Sequence, residues 1–289
     1  MSSAKTSLAL LAFALAASAT ACATAPKDEQ ALAMREAMKP ASPEERAAAN
    51  RANALTRANF WAKENNKDPE DLTSALEFAR ALREIGSHDR AIDVMSRTLI
   101  VHPDSVDAVM LLGRIQMAKG DVPSAARAFN RATQIEPERA ETWAALGTTY
   151  DRQGHHGLAQ TAYLKALELE PTRTTTLTNY GLSLVLSGDL QGAEAKLRLA
   201  AANPDANARV TENLALVLGL QGRFDEMKAV SGAAAPDTVV EQNADLLRSL
   251  IQPARSWDAL SDAPPVKAAP AIETPAPADS VKRTLRPRS

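Results

Sequence analysis

Five glycines recur at one fixed spacing along the chain, and this spacing constrains the fold more than any other feature of the sequence. They occupy positions 86, 120, 154, 188 and 222, each 34 residues after the one before. Prolines 69, 103, 137 and 171 keep the same spacing, and Pro204 comes one residue early. A constant period of this length is typical of stacked copies of one supersecondary unit, so we expect a repeat protein.

The residues within one period resemble a known helix–turn–helix repeat. The third period reads TWAALGTTYDRQGHHGLAQTAYLKALELEP, with its signature residues at Trp143, Leu146, Gly147, Tyr150, Ala159, Tyr163 and Pro171. They resemble the W-x2-L-G-x2-Y, A-x3-F and P pattern of tetratricopeptide repeats. The resemblance implies an all-α fold, a superhelical solenoid with about five repeats at 72–105, 106–139, 140–173, 174–207 and 208–241, plus capping helices.

Small and turn-forming residues have predictable places in such a unit. The first helix of each repeat carries a glycine or alanine where the second helix must come close, as at Gly113, Gly147 and Gly181. The periodic glycines should end the first helices in the left-handed conformation. Asp121 and Asp189, which follow two of those glycines, should cap the second helices.

The two ends of the solenoid are predicted to be closed by extra helices, because a terminal repeat would otherwise expose an apolar face. Ser42, Pro43 and Glu45 form a helix-start pattern, so we expect an N-terminal helix over 43–65. The fifth repeat is degenerate, since VSGAAAP shortens its second helix. The segment DTVVEQNADLLRSLI predicts a C-terminal capping helix over 237–251, which ends a solenoid domain of residues 43–252.

The first residues of the chain read as an export signal. Lys5 precedes the apolar run LALLAFALAA, which is shorter than the roughly 20 residues that cross a bilayer. The sequence Ala19-Thr20-Ala21-Cys22 resembles the bacterial lipobox. This resemblance implies a signal peptide over 1–21, lipid attachment at Cys22 and a tether over 22–42.

The residue after Cys22 is Ala23, and by resemblance to sorted lipoproteins this implies the periplasmic face of the outer membrane. Ordinary cleavage after Ala19 or Ala21 is the alternative, and it would release a soluble periplasmic protein. At the other end, residues 253–289 hold seven of the 17 prolines, a composition that predicts a disordered tail. Its last residues, KRTLRPR, would either be solvated or contact peptidoglycan or an acidic partner.

Composition argues against nucleic acid binding and against most chemistry. The net charge is −2 and aromatic residues make up 4% of the chain, so neither a strong field nor a base-stacking surface is expected. His155 and His156, with Asp151 nearby, allow a metal-site hypothesis, but their place at a turn between helices favours an exposed edge. We predict a non-enzymatic protein with no cofactor and no metal.

Binding residues are sought where equivalent positions align across repeats. Arg80 and Arg114 occupy one such position, with Arg83 one turn from Arg80. Asn179 and Asn213 occupy another, and we expect Asn243 to continue their row on the capping helix. One asparagine per repeat could bind every third peptide group of an extended segment, since its amide both donates and accepts.

Other interpretations of these residues remain open. The asparagines could instead bond their own loops, and Arg80 could pair with Glu77 or Glu84. Between the arginines and the asparagines, the equivalent groove positions Met110, Met117, Ala144 and Leu182 predict an apolar stretch.

The C-terminal half carries a more specific resemblance. Residues 178–226, with LVLSGD and NPDANARVTENLALVLGLQG, and the later VVEQNADLLRSL resemble TadD, the tetratricopeptide lipoprotein of tight-adherence (Flp) pilus systems. With the repeat phase, the resemblance covers about 70–252. It implies an outer-membrane adaptor that supports secretin localisation or assembly through protein partners in its groove. A general periplasmic scaffold that coordinates peptidoglycan enzymes is the alternative.

Overall fold

The computed structural model describes residues 31–32, 34–36, 38–232 and 236–251, and the regular elements in these ranges are helices without any strand. The all-α fold predicted from the sequence is confirmed for these residues. Cys22, the predicted signal peptide and the predicted tail lie outside the described residues, as does most of the predicted tether.

Five helix pairs follow one another along the chain. We call the first helix of each pair its A helix and the second its B helix. The A helices are Leu72–Glu84, Val106–Lys119, Ala140–Arg152, Thr174–Leu186 and Ala208–Leu220, and the B helices are His88–Val101, Val122–Ile135, His156–Leu169, Leu190–Ala201 and Phe224–Ser231. The A helices therefore begin every 34 residues, at the first positions of the five repeats.

Each A helix ends one or two residues before its periodic glycine. The five glycines have φ between 76° and 88°, and they are the residues with positive φ in the described part of the chain. In this left-handed conformation the next residue's N–H donates to the carbonyl five positions earlier, as in the bond from Ser87 N to Leu82 O of 2.8 Å. The same bond recurs at every elbow, for example from Asp189 N to Leu184 O at 2.9 Å, so each repeat turns in the same way. Asp121 and Asp189 cap the B helices that follow, as predicted.

Within a repeat the two helices pack closely at one point. A Cβ placed on Gly113 would lie 2.6 Å from the ring of Phe129, and one on Gly147 would lie 2.7 Å from the ring of Tyr163. The equivalent pair in the first repeat is Ala79 and Met95, which are both fully buried. Small residues on the A helix therefore leave the space that a large side chain of the B helix fills.

The prediction of one N-terminal helix over 43–65 is wrong. The segment forms two helices, Pro43–Asn50 and Ala54–Lys67, because the side chain of Asn53 caps the second one by accepting from Thr56 N. The predicted capping box of Ser42 and Glu45 starts the first helix.

The break at residues 51–53 lets the first N-terminal helix pack back on the second. Arg46 stacks over the Trp61 ring at 5.6 Å, and the Trp61 indole donates to Asn50 at 2.9 Å. Glu64, which is 4% exposed, accepts from Lys67 at 2.6 Å and from Ala41 N at 2.8 Å. The segment that precedes the first N-terminal helix is thereby fixed against the end of the solenoid.

The C-terminal end is closed by the helix Asp237–Ile251. It buries Val240, Ala244 and Leu247, and Leu247 packs where Gly219 leaves space. The fifth B helix has only 8 residues, compared with 14 in each of the first three. Among the helices of the described residues, none has the length and apolar character that a bilayer crossing requires.

Candidate functional site

The A helices form the concave side of the solenoid. Direct contacts join the A helices of repeats 1 and 2, of repeats 3 and 4, and of repeats 4 and 5, and the fifth A helix also contacts the capping helix. Successive B helices of the described chain pack far less closely. A spiral that is tighter on its A side presents the exposed A-helix residues as a shared groove, and this groove is the candidate site.

Equivalent groove positions change in character from one end to the other. One row, which we call the central row, carries a single residue from each repeat, in the order Arg80, Arg114, Thr148, Leu182 and Leu216. The row one helical turn further carries Arg83, Met117, Asp151, Val185 and Gly219. The central row is cationic in repeats 1 and 2, and the second row is cationic in repeat 1. Both rows end with aliphatic or small side chains. The groove is therefore cationic at repeats 1 and 2 and aliphatic at repeats 4 and 5.

The arginines at the cationic end have different partners. Arg80 forms an ion pair with Glu77 of its own helix, which is one of the alternatives that the sequence left open. Glu84 pairs with Arg57 of the N-terminal cap instead. Arg114 pairs with Glu141 of the next A helix. Both pairs are partly exposed, with the Arg80 and Arg114 side chains 46% and 41% accessible, and such pairs contribute about 0–1 kcal/mol.

Arg83 differs from its neighbours. It is half-buried, and among the described residues no carboxylate lies within ion-pair distance of its guanidinium. Burial and the like charges of Arg114 and Arg80 lower its pKa. The cationic end therefore holds one guanidinium without a counter-charge in the described part of the chain.

The predicted asparagine row is present on the groove, but its members are held differently. Asn179 donates from Nδ2 to the hydroxyl of Thr148 on the preceding A helix, at 3.4 Å. For Asn213 the equivalent neighbour on the preceding A helix is Leu182, which cannot accept. Its Nδ2 is buried and finds no hydrogen-bond partner in the described chain. Neither asparagine bonds its own loop, and binding of a partner by either one stays a prediction.

A polar cluster around Asp151 was not expected from the sequence. Its Oδ1 accepts from Ser183 of the next A helix at 2.7 Å and contacts Nδ1 of His156 at 2.9 Å, while its Oδ2 accepts from Tyr163 at 2.9 Å. Burial raises the pKa of the Tyr163 phenol well above its ordinary value, so it remains a donor. The cluster joins repeats 3 and 4. A periodic comparison could not find it, since its members occupy unrelated positions.

Among the described residues, the hydrogen bonds of this cluster connect neighbouring helices. Ser183 and His156 both contact the same carboxylate oxygen, and no hydrogen bond joins them to each other, so the arrangement lacks a base aligned on a nucleophile. His155 is exposed. No group of three or more metal-ligating side chains occurs within the ranges that the structure describes.

The aliphatic end of the groove contains a cavity. It has a volume of about 370 Å³ and lies between the fifth A helix, the short fifth B helix and the capping helix. Leu216, Val239 and Leu246 line it and are 38%, 42% and 59% exposed. The predicted binding residue Asn243 is also on its wall and is exposed. By contrast, Met110 is 2% exposed and packs with the core around Val109, so it does not belong to the groove surface as predicted.

Comparison with known proteins agrees with this architecture. Sequence profiles described as tetratricopeptide repeat match residues 76–140 and 140–173. No curated protein matches the chain.

Several solved structures share the fold at low sequence identity. A tetratricopeptide repeat protein from Parabacteroides merdae is 13% identical, with a TM-score of 0.59 over 71% of this chain and 84% of its own. Pseudomonas aeruginosa pilF is 15% identical, with a TM-score of 0.55 over 75% and 97%. YrrB, described as a TPR protein with an unusual peptide-binding site, is 20% identical, with a TM-score of 0.51 over 65% and 98%.

The fold, the repeats and these matches define the class: the protein is a tetratricopeptide-repeat solenoid. Repeats of this class imply a protein–protein interaction scaffold, and proteins built from them are typically non-enzymatic.

Proposed function

We propose that this chain is an outer-membrane lipoprotein adaptor in tight-adherence (Flp) pilus biogenesis. Its lipidated Cys22 would hold it at the periplasmic face, and its groove would bind a segment of the secretin or of an associated assembly protein. The TadD-like sequence of residues 178–226 and 237–251 and the lipobox-like segment support this specific role.

The observation that carries an adaptor role is a continuous groove with unmatched binding groups. Arg83 has no carboxylate partner and the Asn213 amide no acceptor among the described residues. Burying an unpaired polar group costs about 1–3 kcal/mol, and a bound peptide group could recover part of that cost. Adjacent A helices about 8–10 Å apart match about three residues of an extended peptide, so each repeat would meet one peptide group in three.

Capture from membranes tests the proposal. The mature protein and an Asn179→Ala/Asn213→Ala variant would be used as baits on detergent-solubilised envelopes that contain the pilus secretin. We expect the double variant to capture less secretin while its helical content is unchanged. Asn130→Ala is the matched control, because Asn130 is exposed on a B helix and, among the described residues, its side chain bonds only Gln134. Equal secretin capture by wild type and the double variant would refute partner binding by the asparagine row, and failure of wild type to capture secretin would refute the pilus role.

Two further outcomes separate the alternatives. Replacing Cys22 by serine should move the protein from the membrane fraction to the soluble periplasmic fraction. If that variant still fractionates with membranes, the lipid anchor is wrong. If wild type captures peptidoglycan enzymes and no pilus component, the protein is instead the general periplasmic scaffold.

A further inference from the structure

The groove has a direction, because its two ends differ in chemistry. Within the two rows, arginines occur only in repeats 1 and 2, where Arg80, Arg83 and Arg114 lie close enough for the charges of the other two to lower the pKa of Arg83. In repeats 4 and 5 the same positions carry Leu182, Val185 and Leu216. A partner of uniform composition would match only one of these ends.

The cationic end selects for carboxylates. Arg80 and Arg114 have intramolecular partners in Glu77 and Glu141, but both are partly exposed surface pairs that an incoming acid could exchange. Arg83 is different, since it is half-buried near two like charges and has no counter-ion in the described chain. A carboxylate near Arg83 would relieve this repulsion and form a charge-assisted hydrogen bond.

The aliphatic end selects for a branched apolar side chain. The 370 Å³ cavity beside Leu216 is large enough for one or two such side chains, and its lining residues Leu216, Val239 and Leu246 are exposed to solvent. The cavity exists because the fifth B helix is short and the capping helix begins at Asp237, earlier than residue 242, where a sixth repeat would start.

We infer that the groove binds an extended segment of another protein that carries acidic side chains at one end and aliphatic side chains at the other. The spacing follows from the repeats: Arg114 and Leu216 lie three repeats apart, which corresponds to about 25–30 Å and about eight residues of extended chain. The last residues of this chain, KRTLRPR, are basic and have the wrong charge for the arginine end. This inference rests on the proposed adaptor function and specifies the partner's chemistry.

Two synthetic peptides test it. Each would be fluorescein-labelled, about fourteen residues long, with three glutamates, a spacer of about eight serines, threonines and asparagines, and Leu-Val-Leu, written in opposite directions. Binding to the mature protein would be followed by fluorescence anisotropy at low and high salt. We expect one direction to bind, and its affinity to fall as salt rises.

Variants at the two ends should act independently. Arg83→Gln and Leu216→Ala should each weaken binding by about tenfold, the first through a lost charge-assisted bond and the second through lost apolar burial. With a peptide that carries glutamines in place of the three glutamates, Arg83→Gln should no longer weaken binding, whereas Leu216→Ala should weaken it as before. The two sites are too far apart to couple. Arg127→Gln and Leu164→Ala are matched controls on B helices, where Arg127 bonds Ser124 and Leu164 is 46% exposed.

Each result decides the inference. It is overturned if neither peptide binds, if glutamines bind as tightly as glutamates, or if the control variants weaken binding as much as the groove variants do. Secretin capture that survives such a failure leaves the pilus role intact and refutes only the acidic–aliphatic partner. Peptide binding as expected, without secretin capture, would support the acidic–aliphatic partner and refute the pilus role.

Discussion

Substituting Gly147 by alanine tests the packing on which every repeat depends. The new Cβ would lie 2.7 and 2.8 Å from two ring atoms of Tyr163. Tyr163 is 1% exposed, and its hydroxyl donates to Asp151 at 2.9 Å. The ring therefore cannot move aside without losing that bond, so the strain must be shared by the two helices.

Two opposing effects set the magnitude. Glycine to alanine inside a helix ordinarily stabilises by about 0.5–1 kcal/mol. An extra methyl group in a filled interior costs about 1–3 kcal/mol. The second effect is larger, so we expect the free energy of unfolding to fall by about 1 kcal/mol, which corresponds to a loss of about 2–4 °C in Tm.

Urea unfolding followed by far-UV circular dichroism would measure this change. Gly157→Ala is the control, because a Cβ there meets no atom within 4 Å, and it should leave stability unchanged or slightly higher. On a Tyr163→Met background, Gly147→Ala should lose most of its cost, since the pair then matches Ala79 and Met95 of the first repeat. A Gly147→Ala protein as stable as wild type, or no relief from Tyr163→Met, would refute the packing argument.

Three further predictions concern single side chains. Burial would raise the pKa of Glu64, but the hydrogen bonds from Lys67 and the Ala41 N–H and the nearby positive charges together lower it. The ionised Glu64 therefore stabilises the fold at neutral pH, and this stabilisation is lost as pH falls below about 4. Glu64→Gln should therefore lower stability by about 1–2 kcal/mol at pH 7, and the difference should shrink toward pH 3 in a urea series. Asn213→Leu should leave the free energy of unfolding in urea unchanged or raise it by up to about 1 kcal/mol, because it removes a buried donor that has no acceptor in the described chain. A clear loss of stability would contradict this account. Asp121→Ala removes the cap on Ser124 N and should cost about 1 kcal/mol in the same assay, whereas an unchanged midpoint would show that the cap is not needed.

The repeat fold was predictable because its determinants are local. A glycine at an elbow, an aspartate at a helix start and a small residue opposite a ring each act within one repeat. The break between the two N-terminal helices was missed because the apolar pattern continues through Asn53. Only the fit of Arg46 and Asn50 around Trp61 shows why a cap is preferred there over a continuous helix.

The groove was predictable in position but not in its contacts. The bonds from Ser183 to Asp151 and from Arg114 to Glu141 join residues 32 and 27 positions apart, and they depend on how far one repeat rotates against the next. That rotation is a sum of many packing contacts and has no single residue as its source. For the same reason, the sequence could not show that Met110 is buried while Leu216 faces the groove.

The uniform period has a consequence for the length of the partner. Because each elbow is formed by the same glycine geometry, a duplicated copy of residues 140–173 inserted after position 173 would stay in register with both neighbours. The arginines and the cavity beside Leu216 would then separate by one repeat thickness, about 8–10 Å. A partner could still reach both ends of the groove only if it gained about three residues between its acidic and aliphatic elements. Each added repeat would therefore require a fixed increase in the length of the partner segment.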